Sequence, residues 1–221
     1  MEGRPRICAP IVKDDLNIIK KVAPLVDLFE LRLDLIGAEW EELARELKKP
    51  WLACNRAQRE GGQWRGSEAK RVDEILKAAR LGANIVDIEL STPGVEKIAG
   101  KIKGKAECLI SYHNLKETPP LAKMREIIQK ELEAGADICK LVTTAKSLED
   151  NLAVLQLIRG FPGARVVAFA MGDLGAISRL LCPLVGGYFT YAAMKEGLES
   201  APGQMTVGDL RKIYGTLKNG K

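Results

Sequence analysis

Ala79-Arg80-Leu81-Gly82-Ala83-Asn84-Ile85-Val86 and Glu133-Ala134-Gly135-Ala136-Asp137-Ile138-Cys139-Lys140-Leu141-Val142 carry the same pattern twice. In each, a run of helical period bearing Lys and Glu stops at a glycine, the residue that most readily leaves a helix. Two residues later an apolar run begins, short and rich in β-branched side chains, the mark of a buried strand. The junction is helix, glycine, strand.

Working outward, the two signals alternate along the whole chain. Candidate strands are Ile7–Val12, Asp27–Leu33, Trp51–Asn55, Asn84–Leu90, Glu107–Tyr112, Ile138–Val142, Arg165–Ala170 and Gly187–Tyr191. Candidate helices fill 15–23, 39–48, 67–81, 93–102, 118–134, 147–159, 174–181 and 206–217. Ser67-Glu68-Ala69-Lys70 and Thr118-Pro119-Pro120 read as helix openings. Strands alternating with helices imply βαβ units and a parallel sheet. Eight units at a spacing of roughly 25 to 30 residues predict a compact α/β chain, a (βα)8 TIM barrel. An open doubly wound sheet would want a glycine-rich fingerprint after the first strand, and none stands there. No Pro/Gly/Ser-rich linker divides the chain, so residues 1–221 read as a single domain.

Composition narrows the function. Of 221 residues 46% are apolar and 29% charged, enough apolar material to offset the entropy of ordering the chain. No stretch approaches the ~18 apolar residues of a spanning helix. Nor does the start resemble a secretion signal, so the expectation is a cytoplasmic protein without a membrane partner. The five cysteines stand singly in apolar runs, which predicts neither a disulfide framework nor a metal site. The net charge of +5 comes from basic residues interleaved with acids, as in Glu41 to Lys49. That pattern argues against nucleic acid, yet leaves arginines to face an anionic small molecule.

In a barrel of this kind the site lies at the C-terminal ends of the strands. Ionisable residues interrupting a strand there are the candidates. Glu30, Arg32 and Asp34 alternate onto one face, as ligand-holding groups or as a structural ion-pair ladder. Arg56 ends the third strand, and Glu60 follows on a glycine-rich loop that either folds over a site or is merely solvated. His113, the one histidine, ends the fifth strand and is the natural general base near neutral pH unless it is structural. Lys140 lies inside an apolar strand, where desolvation lowers an amine's pKa and favours Schiff-base chemistry. The alternative is a lysine snorkelling to solvent from a sheet edge. Arg179, early in a helix, either grips a carboxylate or is an exposed helix arginine. Ser200 and Gln204, in the turn-rich Ser200-Ala201-Pro202-Gly203-Gln204, suit a polyhydroxylated ligand.

Taken together, these segments resemble type I 3-dehydroquinate dehydratase over nearly the whole chain. The motifs are Glu30-x-Arg32-x-Asp34, Arg56-x-x-x-Glu60-Gly61-Gly62, Ser111-Tyr112-His113-Asn114, Lys140, Ile177-Ser178-Arg179 and Ser200-Ala201-Pro202-Gly203-Gln204. The resemblance implies dehydration of 3-dehydroquinate to 3-dehydroshikimate in the shikimate pathway. It implies Lys140 as the Schiff-base nucleophile, His113 as general acid and base, and Glu60 orienting His113. It places Arg179 and Gln204 on the substrate carboxylate and Glu30, Arg32 and Arg56 on the ring hydroxyls. It also sets Ser200 near a mobile loop, with Met171 and Tyr191 packed beside the ring. No metal or nicotinamide cofactor is implied, because the lysine is itself the electron sink, and the expected assembly is a homodimer.

Two departures accompany the match. Members often carry an N-terminal hairpin plugging the barrel bottom, whereas six residues precede the first strand here, so that plug is absent or otherwise supplied. Glu196-Gly197-Leu198-Glu199 also makes the approach to Ser200 slightly long. Another Schiff-base barrel, such as an aldolase, would keep Lys140 but want a phosphate loop late in the chain. A non-catalytic binding barrel would keep the pocket alone.

Overall fold

The computed structural model describes residues 4–219. Its eight strands are Ile7–Ile11 (β1), Leu28–Arg32 (β2), Trp51–Cys54 (β3), Ile85–Glu89 (β4), Glu107–His113 (β5), Ile138–Thr144 (β6), Val166–Met171 (β7) and Thr190–Tyr191 (β8). The helices are Leu16–Val22 (α1), Leu33–Ile36 (α2), Trp40–Glu46 (α3), Glu68–Arg80 (α4), Val95–Ile102 (α5), Leu121–Glu133 (α6), Glu149–Gly160 (α7), Ala176–Leu181 (α8) and Val207–Asn219 (α9). Successive strands pair in parallel from β1 to β7, and β8 pairs with β1, so the sheet curls into a (βα)8 barrel. The seam between β7 and β8 has no ladder. There the Tyr188 N–H donates to the Val166 carbonyl at 2.9 Å.

Strand alternation sorts the barrel into layers. Cys8, Leu28, Leu52, Ile85, Leu109, Ile138, Val167 and Phe189 pack together inside it as an apolar floor. Two residues further along, the inward positions become Glu30, Cys54, Asp87, Ser111, Lys140, Phe169 and Tyr191. The floor is oily and the layer above it is largely polar. The intervening residues, such as Phe29, Leu31, Val86 and Leu141, point outward into the aliphatic layer beneath the helices.

At the opposite end from the polar layer, side chains close the barrel. The Tyr188 ring lies between the guanidinium groups of Arg6 and Arg165, 4.3 and 5.1 Å from its centroid, and Arg165 pairs with Glu107 at 2.6 Å. Arg211 of α9 donates to the Leu25 and Pro5 carbonyls and to Asp27, whose carboxylate also accepts the Ile7 N–H.

Beyond shifts of a residue or two at element ends, the sequence reading and the structure differ in three places. The extended run expected through Leu33 stops at Arg32, and the single turn α2 follows, so Asp34 is not a strand residue. The last strand has two paired residues instead of five, because the chain from Gly186 is still leaving a turn. The helix expected from 118 begins at Leu121, after Pro119 and Pro120, whose rings cannot continue a hydrogen-bonded turn. Ser67 caps its helix as read, accepting from the Lys70 N–H. Gly82 and Gly135 leave theirs at φ of 96° and 92°. No helix among the described residues is long and apolar enough to cross a membrane.

Candidate active site

A cavity of about 300 Å³ opens at the C-terminal ends of the strands. Eleven of the residues singled out from the sequence line it, Asp34 standing outside: Glu30, Arg32, Arg56, Glu60, His113, Lys140, Met171, Arg179, Tyr191, Ser200 and Gln204. Cys54, Leu115, Val142, Thr144 and Phe169 complete much of the wall.

Lys140 is 4% exposed, as a strand interior demands, but its amine is not among apolar neighbours. Nζ donates to Asp87 Oδ2 at 2.9 Å and to the Tyr191 hydroxyl at 3.1 Å, and lies 3.8 Å from Glu30 Oε1. Glu30, Cys54 and Asp87 converge closely enough to suit a cation. In this arrangement the two carboxylates face the amine of Lys140. Asp87 is itself anchored: Arg56 donates to it at 2.6 Å and Ser111 at 2.6 Å. Burial would raise the Asp87 carboxyl, but Arg56, Lys140 and His113 hold it well below the usual carboxylate range. Arg56 also reaches Glu89 at 3.1 Å and the Ser111 hydroxyl at 2.7 Å, so its guanidinium is engaged by the protein.

His113 closes β5 beside Lys140's strand, with Ser111 in register with Lys140. Its Nδ1 lies 3.0 Å from Glu60 Oε2, while Glu60 Oε1 accepts from Ser91 at 2.7 Å. Burial, with the nearby Arg56 and Lys140 charges, pushes the imidazole well below the ordinary histidine range. A neutral ring facing a carboxylate keeps its proton on Nδ1, which leaves the Nε2 lone pair free. Burial raises the Glu60 carboxyl, partly offset by Arg56. Glu60 owes its place to the tight loop after β3. Gly61 takes φ of +85°, and any side chain at Gly62 would collide with the Arg56 backbone.

Arg32 and Arg179 differ in their partners. Arg32 is held by Asp34 at 2.8 and 2.7 Å, and Asp34 also accepts the Arg56 and Gln63 N–H groups. The expected three-charge ladder is therefore two inward charges and one orienting carboxylate on the turn beyond. Arg179 is 3% exposed and makes no ion pair among the described residues. Its Nε has no partner, its Nη2 reaches only the Pro202 carbonyl at 3.4 Å, and its charge lies 4.3 Å over the Phe169 ring. Burial brings its pKa down to about 10. An uncompensated buried guanidinium at a cavity wall is a receptor for an anion. Ser178 fixes the helix that carries it, accepting from the Ala170 N–H and donating to the Gly175 carbonyl.

The Ser200–Gln204 loop closes over the same opening. The Gln204 amide donates to the Ser200 hydroxyl at 2.9 Å and its oxygen accepts the Ser200 N–H at 2.9 Å, so the two side chains brace one another. Gly203 rests on the Gly172 carbonyl at φ of +78°, a contact that leaves no room for a Cβ.

Asp87 and Glu89 were missed by the sequence reading, though they obey the rule that found Glu30 and Lys140. They are inward carboxylates in an otherwise apolar strand, Ile85-Val86-Asp87-Ile88-Glu89. The signal stands immediately after Val86, where the first of the two opening stretches ends.

Comparisons with known proteins bear on the family and the fold. The family model for type I 3-dehydroquinase matches residues 7–221. A 3-dehydroquinate dehydratase of Dehalococcoides mccartyi is 43% identical over 210 residues, 95% of each chain. One from Methanocaldococcus jannaschii is 35% identical over 216 residues, covering 94% of this chain and 97% of its own. The crystal structure of 3-dehydroquinate dehydratase from Geobacillus kaustophilus superposes with a TM-score of 0.87 at 29% identity, covering 98% of this chain and 92% of that one. With a family model spanning almost the whole length and relatives of this identity, the chain belongs to the type I 3-dehydroquinase family.

Proposed function

We propose that the protein dehydrates 3-dehydroquinate to 3-dehydroshikimate through an imine on Lys140, with His113 as base and then acid. The observation that carries this reading is the meeting, in one cavity, of three groups: a buried amine, a neutral His113 braced by Glu60 and an unpaired Arg179. A ketone, an acidic C–H beside it and a carboxylate are what those groups respectively engage.

The unprotonated Nζ of Lys140 adds to the C3 carbonyl carbon, and the resulting carbinolamine loses water to give the iminium. The iminium withdraws electrons from C2, whose proton passes to Nε2 of His113. The enamine then expels the C1 hydroxyl, which takes that proton from His113 and leaves as water. Hydrolysis of the conjugated iminium frees the product and restores the amine. Arg179 holds the substrate carboxylate, with Gln204 and Ser200 closing the loop above it. Glu30 and Arg32 bind ring hydroxyls, and Met171 and Tyr191 pack beside the ring. Arg56 acts mainly through Asp87 and Glu89, which occupy its donors. No separate electron sink is required, because the iminium serves as one.

Borohydride reduction in the presence of 3-dehydroquinate tests the reading. The expected result is a stable adduct on the peptide bearing Lys140. Substrate recovered unchanged with no adduct overturns it. A homodimer belongs to the same proposal, supported by Leu148, Leu152, Leu174 and Ile177, large apolar side chains exposed around Asn151 of α7. Sedimentation equilibrium at twice the mass of 24.2 kDa is expected, and a monomer removes it. Cytoplasmic residence is supported by five free, buried thiols.

A further inference from the structure

We infer that the Tyr191 hydroxyl is a catalytic proton relay between Lys140 and Glu30, serving the formation and hydrolysis of the imine. The inference rests on the Schiff-base reading and assigns Tyr191 a task beyond packing. Lys140 Nζ donates to the Tyr191 oxygen at 3.1 Å, and that hydroxyl donates to Glu30 Oε1 at 3.0 Å. The three groups form an unbroken donor chain.

An amine attacks a carbonyl only after losing a proton, and two neighbours of Lys140 stand ready to take it. Asp87 already accepts from Arg56 and Ser111 and is held far below the usual carboxylate range, which makes it a weak acceptor. Glu30 makes no arginine ion pair among the described residues, and the phenol connects it to the amine. Burial and the Glu30 charge keep the phenol protonated, so it accepts one proton while donating another. Its ring is fixed by edge contacts with Phe169 and Phe189, centroids 5.9 and 5.5 Å away.

The step balances. Nζ gives a proton to the Tyr191 oxygen as the phenol passes its own to Glu30, leaving a neutral amine and a protonated Glu30. After the amine has added to the carbonyl, the same path returns a proton to the carbinolamine oxygen, which departs as water. His113 is thereby left free for the C2 proton.

Tyr191→Phe keeps the ring and removes the relay. Rapid mixing with 3-dehydroquinate and borohydride trapping reads the rate of adduct formation in H2O and D2O. We expect adduct formation about 10²-fold slower in the variant. The solvent deuterium effect of the unmodified protein should be lost, and the isotope effect of C2-deuterated substrate on kcat should fall toward one. An adduct rate and solvent effect equal to those of the unmodified protein overturn the relay while leaving the Schiff base standing. A slower rate with the solvent effect retained also overturns it, because the hydroxyl would then only position the amine. No Lys140 adduct in the unmodified protein overturns the Schiff-base reading itself.

Discussion

One carboxylate oxygen of Glu60 accepts both the main-chain N–H of His113 and contacts its Nδ1, each at 3.0 Å. A single atom thus fixes the strand end and the ring that projects from it. Glu60→Gln keeps the shape, and its oxygen still accepts from the His113 N–H and Nδ1, but it removes the negative charge that stabilises the imidazolium formed when the ring takes a proton. We expect kcat to fall about 10²-fold while the borohydride adduct on Lys140 still forms. An unchanged kcat would separate Glu60 from the proton transfer.

The pH profile follows from the same ring. In the proposed reaction His113 must be neutral to take the C2 proton, and its burial and the flanking cations depress its pKa. A depressed base stays neutral through the ordinary histidine range and becomes protonated only at more acid pH. The His113 limb of kcat/KM should therefore stay flat across pH 6.5 and descend well below it. A histidine break at pH 6.5 would contradict the burial of the ring.

Removing the proposed nucleophile should leave the fold intact. In Lys140→Ala, Asp87 keeps its Arg56 and Ser111 partners, so no carboxylate is stranded. Turnover and adduct should vanish with the melting temperature within a few degrees of the parent, a shift worth about 1 kcal/mol. Residual turnover at the parental rate would sink the imine.

Arg179 sets function against stability. Its buried Nε has no partner, which costs about 1–3 kcal/mol of stability. Arg179→Met fills the same volume without that penalty. Calorimetry should show a melting temperature raised by about 2–4 °C, while kcat/KM falls by about 10² or more. A variant both less stable and fully active would refute the anion-receptor role.

A second buried ionisable group packs against the outer side of the strand that carries Lys140. Glu131 of α6 is fully buried behind β6, with neither carboxylate oxygen hydrogen-bonded. Burial raises its folded pKa well above the ordinary carboxyl value. A group raised on folding retains its full contribution below its unfolded pKa of about 4.5 and loses it as pH rises through the folded value. Glu131→Met should therefore stabilise the protein more at pH 8 than at pH 5, in denaturant titrations. Equal gains at both pH values would mean that this carboxyl does not titrate.

The sequence made the barrel and the contents of its mouth legible because both obey local rules. Strand alternation placed Glu30 and Arg32 inward, and an apolar run marked Lys140 as buried. What the pattern could not convey is pairing across distance. Arg56 reaches Asp87 31 residues away, and Glu60 reaches His113 53 residues away. Those contacts depend on strand register and on the loop turned by Gly61 and Gly62. They also change the reading of Lys140, whose amine meets carboxylates where apolar burial was expected. The run through Leu33 failed for a similar reason, because the turn that carries Asp34 is stabilised by contacts to Arg32, Arg56 and Gln63.

The apolar floor and the polar layer above it are built from different residues of the same strands. Selection can thus act on the two independently. Exchanges among Glu30, Asp87, Ser111 or Lys140 alter the chemistry of the mouth, while Leu28, Ile85, Leu109 and Ile138 continue to hold the cylinder together. A descendant of this chain could acquire a new reaction through changes in one stratum and inherit its scaffold from the other.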